Sequence, residues 1–450
     1  MLRLSLLAFC FACVNCIAAP AALVEEAPRE PFFPHAGNRG YDAYAYEVNL
    51  AYGRRGGVNA NVTIRAQATE TLKRFSLDFF GPHVTRVRSR GGDARFRRLH
   101  GKLIVFPKQP IKRGENFYPT ISYSGVPPTI TDPDGTQEGW YPTDDGALAV
   151  GEPQGTAAWI PCNNIPSDKA YFVFTIAVPR ELKAIANGRR VGITRRGGRT
   201  TYAWWEDPPM SPYLAFLDIG RGRLLKSRVA GRTAWTLIDP RLEKRSLPVL
   251  AALPEIVDFE SGLFGPYPFA GVGSVVDYAP GLGYALETQS RPIYPYVPDL
   301  TTVVHETAHQ WFGDSVGLRR WPEIWLAEGF ATWTEWYYAE RHGRRSAQAI
   351  FNRLHRVPAS NEEFWDPPSA HPGTPKHLFG PSVYVRGAMA LQALRVKIGT
   401  KPMLRVLRTW ATEHRYGSGT IKEFIALAEK TSGRDLDPFF QRWLYRRGKP

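Results

Sequence analysis

The run Asp299-Leu300-Thr301-Thr302-Val303-Val304-His305-Glu306-Thr307-Ala308-His309-Gln310-Trp311-Phe312-Gly313 decides how the rest of the chain is read. Apolar residues recur at 300, 303, 304, 308 and 311, the spacing of one helix face. Asp299 is placed to cap the start and Gly313 to end it. The pattern predicts a helix over 300–312. On such a helix His305 and His309 stand at i and i+4, so both rings leave one side, close enough to share a metal ion. Glu306 points off that direction and can flank the ion, where a carboxylate takes a proton from water.

A pentapeptide of this kind is too short to stand alone. The second stretch, Trp325-Leu326-Ala327-Glu328-Gly329-Phe330-Ala331, decides the matter, because Glu328 follows His309 with eighteen residues between them. Pro322 suits the first turn of a helix running to about Glu340. An acid among so many aromatics is costly to bury unless it is paired or bound to a metal. Two imidazoles and one carboxylate leave a fourth tetrahedral position open, as a catalytic zinc site requires. The expectation is one Zn2+ per chain on His305, His309 and Glu328, with Glu306 as general base. Glu335, further along the same helix, is placed either to orient a ligand histidine or to lie on a solvated face.

Both stretches resemble the signatures of the aminopeptidase N-like zinc metallopeptidases, a family of the gluzincins. The likeness extends from Gly40-Tyr41-Asp42 to Phe439-Phe440-Gln441-Arg442-Trp443-Leu444. The gap of eighteen residues is that family's; the neighbouring thermolysin-like endopeptidases have a slightly longer one.

Further roles follow from the resemblance. The family's Gly-Ala-Met-Glu-Asn motif is similar to Tyr284-Ala285-Leu286-Glu287-Thr288, which implies that Glu287 binds the substrate's free α-ammonium and that Ala285 lines the same subsite. Tyr284 and Thr288 stand where the motif has Gly and Asn. The family's other amine-binding position, nine residues before a Pro-Cys, falls on Glu152. Val383-Tyr384-Val385-Arg386-Gly387-Ala388 resembles the stretch whose tyrosine stabilises the transition state, which points to Tyr384. The activity implied is zinc-dependent hydrolysis of N-terminal residues from peptides with a free amino terminus. Three other readings use the same residues: hydrolysis of a small epoxide, endopeptidase cleavage, or a non-catalytic zinc module that binds peptides.

Toward the N-terminus the period changes to that of strands. Tyr44 to Leu50 alternates, as do parts of Val58 to Ala66, Arg74 to Phe80, Leu103 to Phe106, Tyr171 to Val178 and Thr200 to Trp205. Turn signals such as Gly91-Gly92-Asp93 and Arg195-Arg196-Gly197-Gly198 separate them. From Leu247 onward the spacing is helical, interrupted by a Pro-rich loop from Pro358 to Pro381. The fold class expected is multidomain α+β: an N-terminal antiparallel β-sandwich-like domain over 35–222, then a mainly α-helical catalytic domain over 223–450 that the resemblance makes thermolysin-like. Longer relatives add a C-terminal helical domain, and the resemblance implies a short form without it and a more open cleft.

Composition sets the outer limits. With 43% hydrophobic and 13% aromatic residues, wholesale disorder is excluded. The 57 Lys and Arg against 42 Asp and Glu leave a formal charge of +15, but the arginines are dispersed. No nucleic acid partner is expected, and weak association with anionic surfaces is compatible with the charge. Residues 1–21 read as a signal peptide, with Arg3, an apolar run from Leu4 to Ala19 and a small-x-small site at Ala19-Pro20-Ala21. The expectation is export, to the periplasm or the medium, with a flexible mature N-terminus over 22–34. Of the 4 Cys, only Cys162 lies outside that signal, and its apolar flanks mark a buried thiol.

Overall fold

The computed structural model describes residues 30–53 and 55–450; the expected signal segment, 1–21, lies outside the described residues. These residues form two compact units, one of Pro34–Arg245 with Phe269–Val297, the other of Glu30–Phe33, Ser246–Pro268 and Pro298–Pro450.

The first unit is β. Its largest sheet has nine strands. Val58–Ala68 shows why the alternation was readable: Val58, Ala60, Val62, Ile64, Ala66 and Ala68 are buried, and every residue between them is at least partly exposed. The hairpin between Arg189–Arg196 and Arg199–Met210 turns at Gly197 and Gly198, which hold φ of 56° and 71°, as the Gly-Gly signal requires. Within this sheet one pair departs from the expected antiparallel order. Tyr41–Tyr52 runs parallel to Ala170–Pro179, with Tyr46 opposite Phe172 and their rings stacked at 4.8 Å. A parallel pair needs a long connection, here the whole stretch between residues 52 and 170, which supplies further strands of this sheet, a three-stranded sheet and part of a five-stranded one. The five-stranded sheet carries Gln137–Pro142 and Ala147–Val150, the strands on which the Glu152 segment hangs.

The expected boundary at 222/223 is not where the compact units divide. Strands Arg223–Val229, Arg232–Ile238, Val272–Val276 and Ile293–Tyr294 form a four-stranded sheet that belongs to the β unit. The reason is packing: Trp235 meets Trp204 edge to face at 6.4 Å, and the Arg190 guanidinium lies 3.6 Å from the centre of the Trp235 ring.

The second unit is mainly helical. The helix Trp325–Arg341, hereafter the glutamate helix, is buried at Trp325 to Thr334 without a break and again at Trp336 to Tyr338, which marks a helix packed on every side. Phe330 packs against Phe312 and Phe424 at 5.0 Å each, and Phe424 meets Trp410 at 5.5 Å. Gly329 lets the helix Gly387–Ile398 approach closely: a Cβ on Gly329 would lie 3.2 Å from the Gly387 Cα. Residues 30–33, expected within a flexible tail, are pinned to this unit. The buried Glu30 accepts a hydrogen bond from the Trp321 backbone N–H (2.9 Å), and Phe33 packs edge-on against the Trp321 ring.

Candidate active site and its metal ligands

The histidine helix spans Leu300–Ala308, and its N-cap is Asp299, whose side chain accepts from the Thr302 N–H at 2.8 Å. The helix ends four residues earlier than the apolar spacing implied. His309 is its C-cap, and the chain then tightens, with Gln310 and Trp311 bonding to Thr307 and Ala308. Gly313, at φ 118°, completes the exit. This early exit matters because it presents the Phe312 carbonyl to His309, whose Nδ1–H donates to it at 3.0 Å. Pro322 sits in a short 3-10 turn, Trp321–Glu323, just before the glutamate helix rather than inside it.

The two helices bring the expected ligands together. His305 Nε2 lies 3.2 Å and His309 Nε2 3.3 Å from the same oxygen, Oε2 of Glu328. One atom from each residue falls within 4.8 Å of the others. On the far side of the His305 ring, Nδ1 bonds Glu335 Oε1 at 2.6 Å. Glu335 therefore orients the ring rather than facing solvent. Both imidazoles have their Nδ1 occupied, so both turn Nε2 inward to the shared centre. Two imidazole nitrogens and a carboxylate oxygen, oriented in this way, are a donor set that fits zinc.

The electrostatics agree with the geometry. Burial alone would lower the His305 pKa, yet the Glu328 and Glu335 carboxylates outweigh it and raise it well above the ordinary histidine range. Burial would raise the Glu328 pKa, but His309 first and then His305 hold it down at about 2. The cluster is built to stabilise positive charge. Glu306 is 6% exposed, on the helix turn between the two histidines.

Tyr384 stacks on His305, with ring centroids 6.0 Å apart and planes 13° from parallel. It lies in a π-helical turn, Ser382–Arg386, that runs into the helix packed on Gly329. The buried Arg386 anchors that turn: its guanidinium donates to the Trp443 carbonyl at 2.9 Å and also to those of Trp365 and Arg446.

The two amine-binding candidates belong to the β unit. Glu152 and Glu287 are 7% and 3% exposed, and their carboxylate oxygens approach within 4.8 Å. Glu287 rides on a tight loop closed by reciprocal Leu286–Ile293 backbone bonds and by the Thr288 hydroxyl, which donates to the Arg291 carbonyl at 2.6 Å. Arg291 in turn donates to the carbonyls of Ala186 and Gly188. Ala285 is half-buried, two residues before Glu287. Tyr284 donates its hydroxyl to the Gln137 carbonyl at 2.7 Å.

One acid near the ligands was not singled out from the sequence. Glu260 is fully buried, and its charge acts on His305. Burial pushes its pKa well up. A signal existed: Ile256, Glu260 and Phe264 recur every four residues on the buried face of Leu253–Phe264, so the acid faces inward. Cys162 is buried, as its flanks implied.

Comparison with known proteins agrees across both units. The Peptidase M1 N-terminal domain matches residues 43–214, and the Peptidase family M1 domain matches residues 296–443. An M1 zinc metallopeptidase from Deinococcus radiodurans superposes with a TM-score of 0.84 at 28% identity, covering 94% of this chain and 97% of that one. A mutant from the same organism, bound to a Tyr-Ser-Ala substrate, gives the same TM-score and identity over 98% of its chain. The probable aminopeptidase 2 of Sulfurisphaera tokodaii is 23% identical over 320 residues, 65% of this chain and 40% of that protein. The chain spans half or less of the length of the curated relatives it matches. The chain belongs to the M1 family of zinc metallopeptidases and carries both the N-terminal and the peptidase domain of that family.

Proposed function

We propose that the protein is an exported zinc aminopeptidase that removes residues one at a time from the free amino end of peptides. The observation that carries the reading is the convergence of His305 Nε2, His309 Nε2 and Glu328 Oε2, with Glu306 on the same helix turn. Those three side chains would hold one zinc ion, which when bound supplies Lewis acidity that polarises a carbonyl and makes water a nucleophile near neutral pH.

The chain's own residues do the rest. Glu306 accepts the proton of the attacking water and returns it to the leaving amine. Tyr384 donates its hydroxyl hydrogen to the oxyanion as charge develops there. Glu287 and Glu152 receive the substrate's α-ammonium, two buried carboxylates close enough to share one cation. A blocked amino terminus would leave both acids desolvated and unpaired, so the selectivity is electrostatic. Export rests on the signal-like N-terminus alone.

Mass spectrometry of one peptide, free and N-acetylated, at matched zinc tests this reading. Stepwise loss of residues from the free form only is expected. Glu287→Ala should remove that preference by weakening binding of the free form about tenfold or more. Internal cleavage of both forms would make the protein an endopeptidase.

A further inference from the structure

Glu138 is wholly buried and takes no part in the chemistry described so far. It stands second in the strand Gln137–Pro142, and its Oε2 accepts two backbone hydrogen bonds, from Gln154 at 2.9 Å and Gly155 at 2.7 Å. Those donors are the second and third residues after Glu152. The carboxylate seats directly on backbone because residue 155 is glycine: an added Cβ there would lie 2.3 Å from the Val150 carbonyl oxygen and 3.0 Å from Oε2 itself. Elsewhere the Asn164 amide donates to the Gln154 carbonyl at 3.3 Å. The segment that carries Glu152 is therefore clamped by side chains from outside it.

Asp132, in the turn after Thr129–Thr131, backs Glu138. The two carboxyls are near enough to hydrogen-bond each other. Among the described residues, the fully buried oxygens of this pair left without a donor are one on each side, Asp132 Oδ2 and Glu138 Oε1. A single proton held between the two carboxyls satisfies both. Burial raises both groups, which favours holding that proton. The other ionisable groups acting on this cluster are Asp134, Glu152 and Tyr284. Tyr284, which replaces the family motif's glycine, bonds to Gln137 on the same strand. One strand thus receives both the Glu152 segment and the Glu287 segment.

We propose that Glu138 is a positioning residue of the ammonium subsite: its carboxyl, backed by Asp132, holds the 152–155 backbone so that Glu152 is presented beside Glu287. The proposal rests on the aminopeptidase reading. Kinetics on an L-alanyl chromogenic amide and its N-acetylated counterpart, with the full chain at matched zinc content, test it. Glu138→Ala is expected to raise KM for the free amine about tenfold, to change kcat little, and to reduce the preference for the free form. Glu138→Gln should restore both, since its carbonyl still accepts from Gln154 and Gly155 and its amide can donate to Asp132. If Glu138→Ala does not fold, Tyr284→Phe removes only the bond to Gln137 and should show a smaller change of the same kind, in KM alone. An unchanged KM and preference in the folded variant, or a loss confined to kcat, overturns the proposal and leaves the aminopeptidase reading standing. A wild-type protein indifferent to acetylation overturns both.

Discussion

In the helical unit the candidate-ligand geometry is made by contacts that span 3 to 30 positions. His309 is oriented by a carbonyl three residues on, and His305 by a glutamate on the neighbouring helix, seven residues past Glu328. In the β unit the acids Glu152 and Glu287 ride on irregular backbone, and what holds that backbone comes from far along the chain. The Gln289 carbonyl is bonded by Asn187 at 102 positions, and Tyr284 bonds across 147. The contrast implies two kinds of sensitivity. Changes on the helices strike the chemistry or the metal, whereas changes around the acids strike the geometry of binding.

The largest test of that contrast is Glu306→Gln. Turnover should fall about a thousandfold while zinc content stays whole, because the amide cannot accept the water's proton. A loss under tenfold would mean that Glu306 is not the base. Tyr384→Phe comes next, with kcat lowered about a hundredfold or more and KM nearly unchanged, the mark of a donor used only in the transition state. A rise in KM alone would move Tyr384 to the binding side of the comparison. Glu335→Gln should weaken zinc by about 10- to 100-fold in a chelator competition, with kcat near that of the wild type once zinc is saturating. Equal affinity would show that the ring of His305 needs no such support.

The smallest effect concerns the scaffold of the β unit. Glu206 is fully buried and accepts from the Gln289 amide at 3.1 Å. Burial pushes its pKa up from 4.5 to about 7, partly opposed by Gln289 and Ser290. For an acid raised in this way, the stabilising contribution is complete below its unfolded value and is lost as pH rises through about 7. Tm should therefore decline between about pH 4.5 and 7, and Glu206→Gln should decline less steeply. Parallel curves for the two proteins would remove Glu206 as a source of that pH dependence.

How much of this was readable beforehand follows the same division. The capped helix, the paired histidines and Glu328 were legible because helical spacing converts sequence distance into direction. Strands such as Val58–Ala68 were legible from their two-residue alternation. The early end of the histidine helix was not, since apolar residues continue through Trp311 and Phe312 while the backbone turns away at His309. Nor was the division of the units, because it depends on Trp235 finding Trp204 rather than on any local pattern. Glu138 and Asp132 carry no motif, and only a fold that buries two carboxyls against each other gives them meaning.

By itself, then, the sequence determined His305, His309 and Glu328 as candidate metal ligands with Glu306 beside them, the order of a β-rich part before a helical one, and a family likeness that names Glu287, Glu152 and Tyr384. Tertiary structure alone decided which nitrogen of each histidine faces the centre, through Glu335 and the Phe312 carbonyl. It alone set Tyr384 parallel to the His305 ring and clamped Glu152 from Glu138. The physical reason is range. Periodicity encodes interactions within a turn or a pleat, while the direction of a contact between separate elements exists only once the chain has packed.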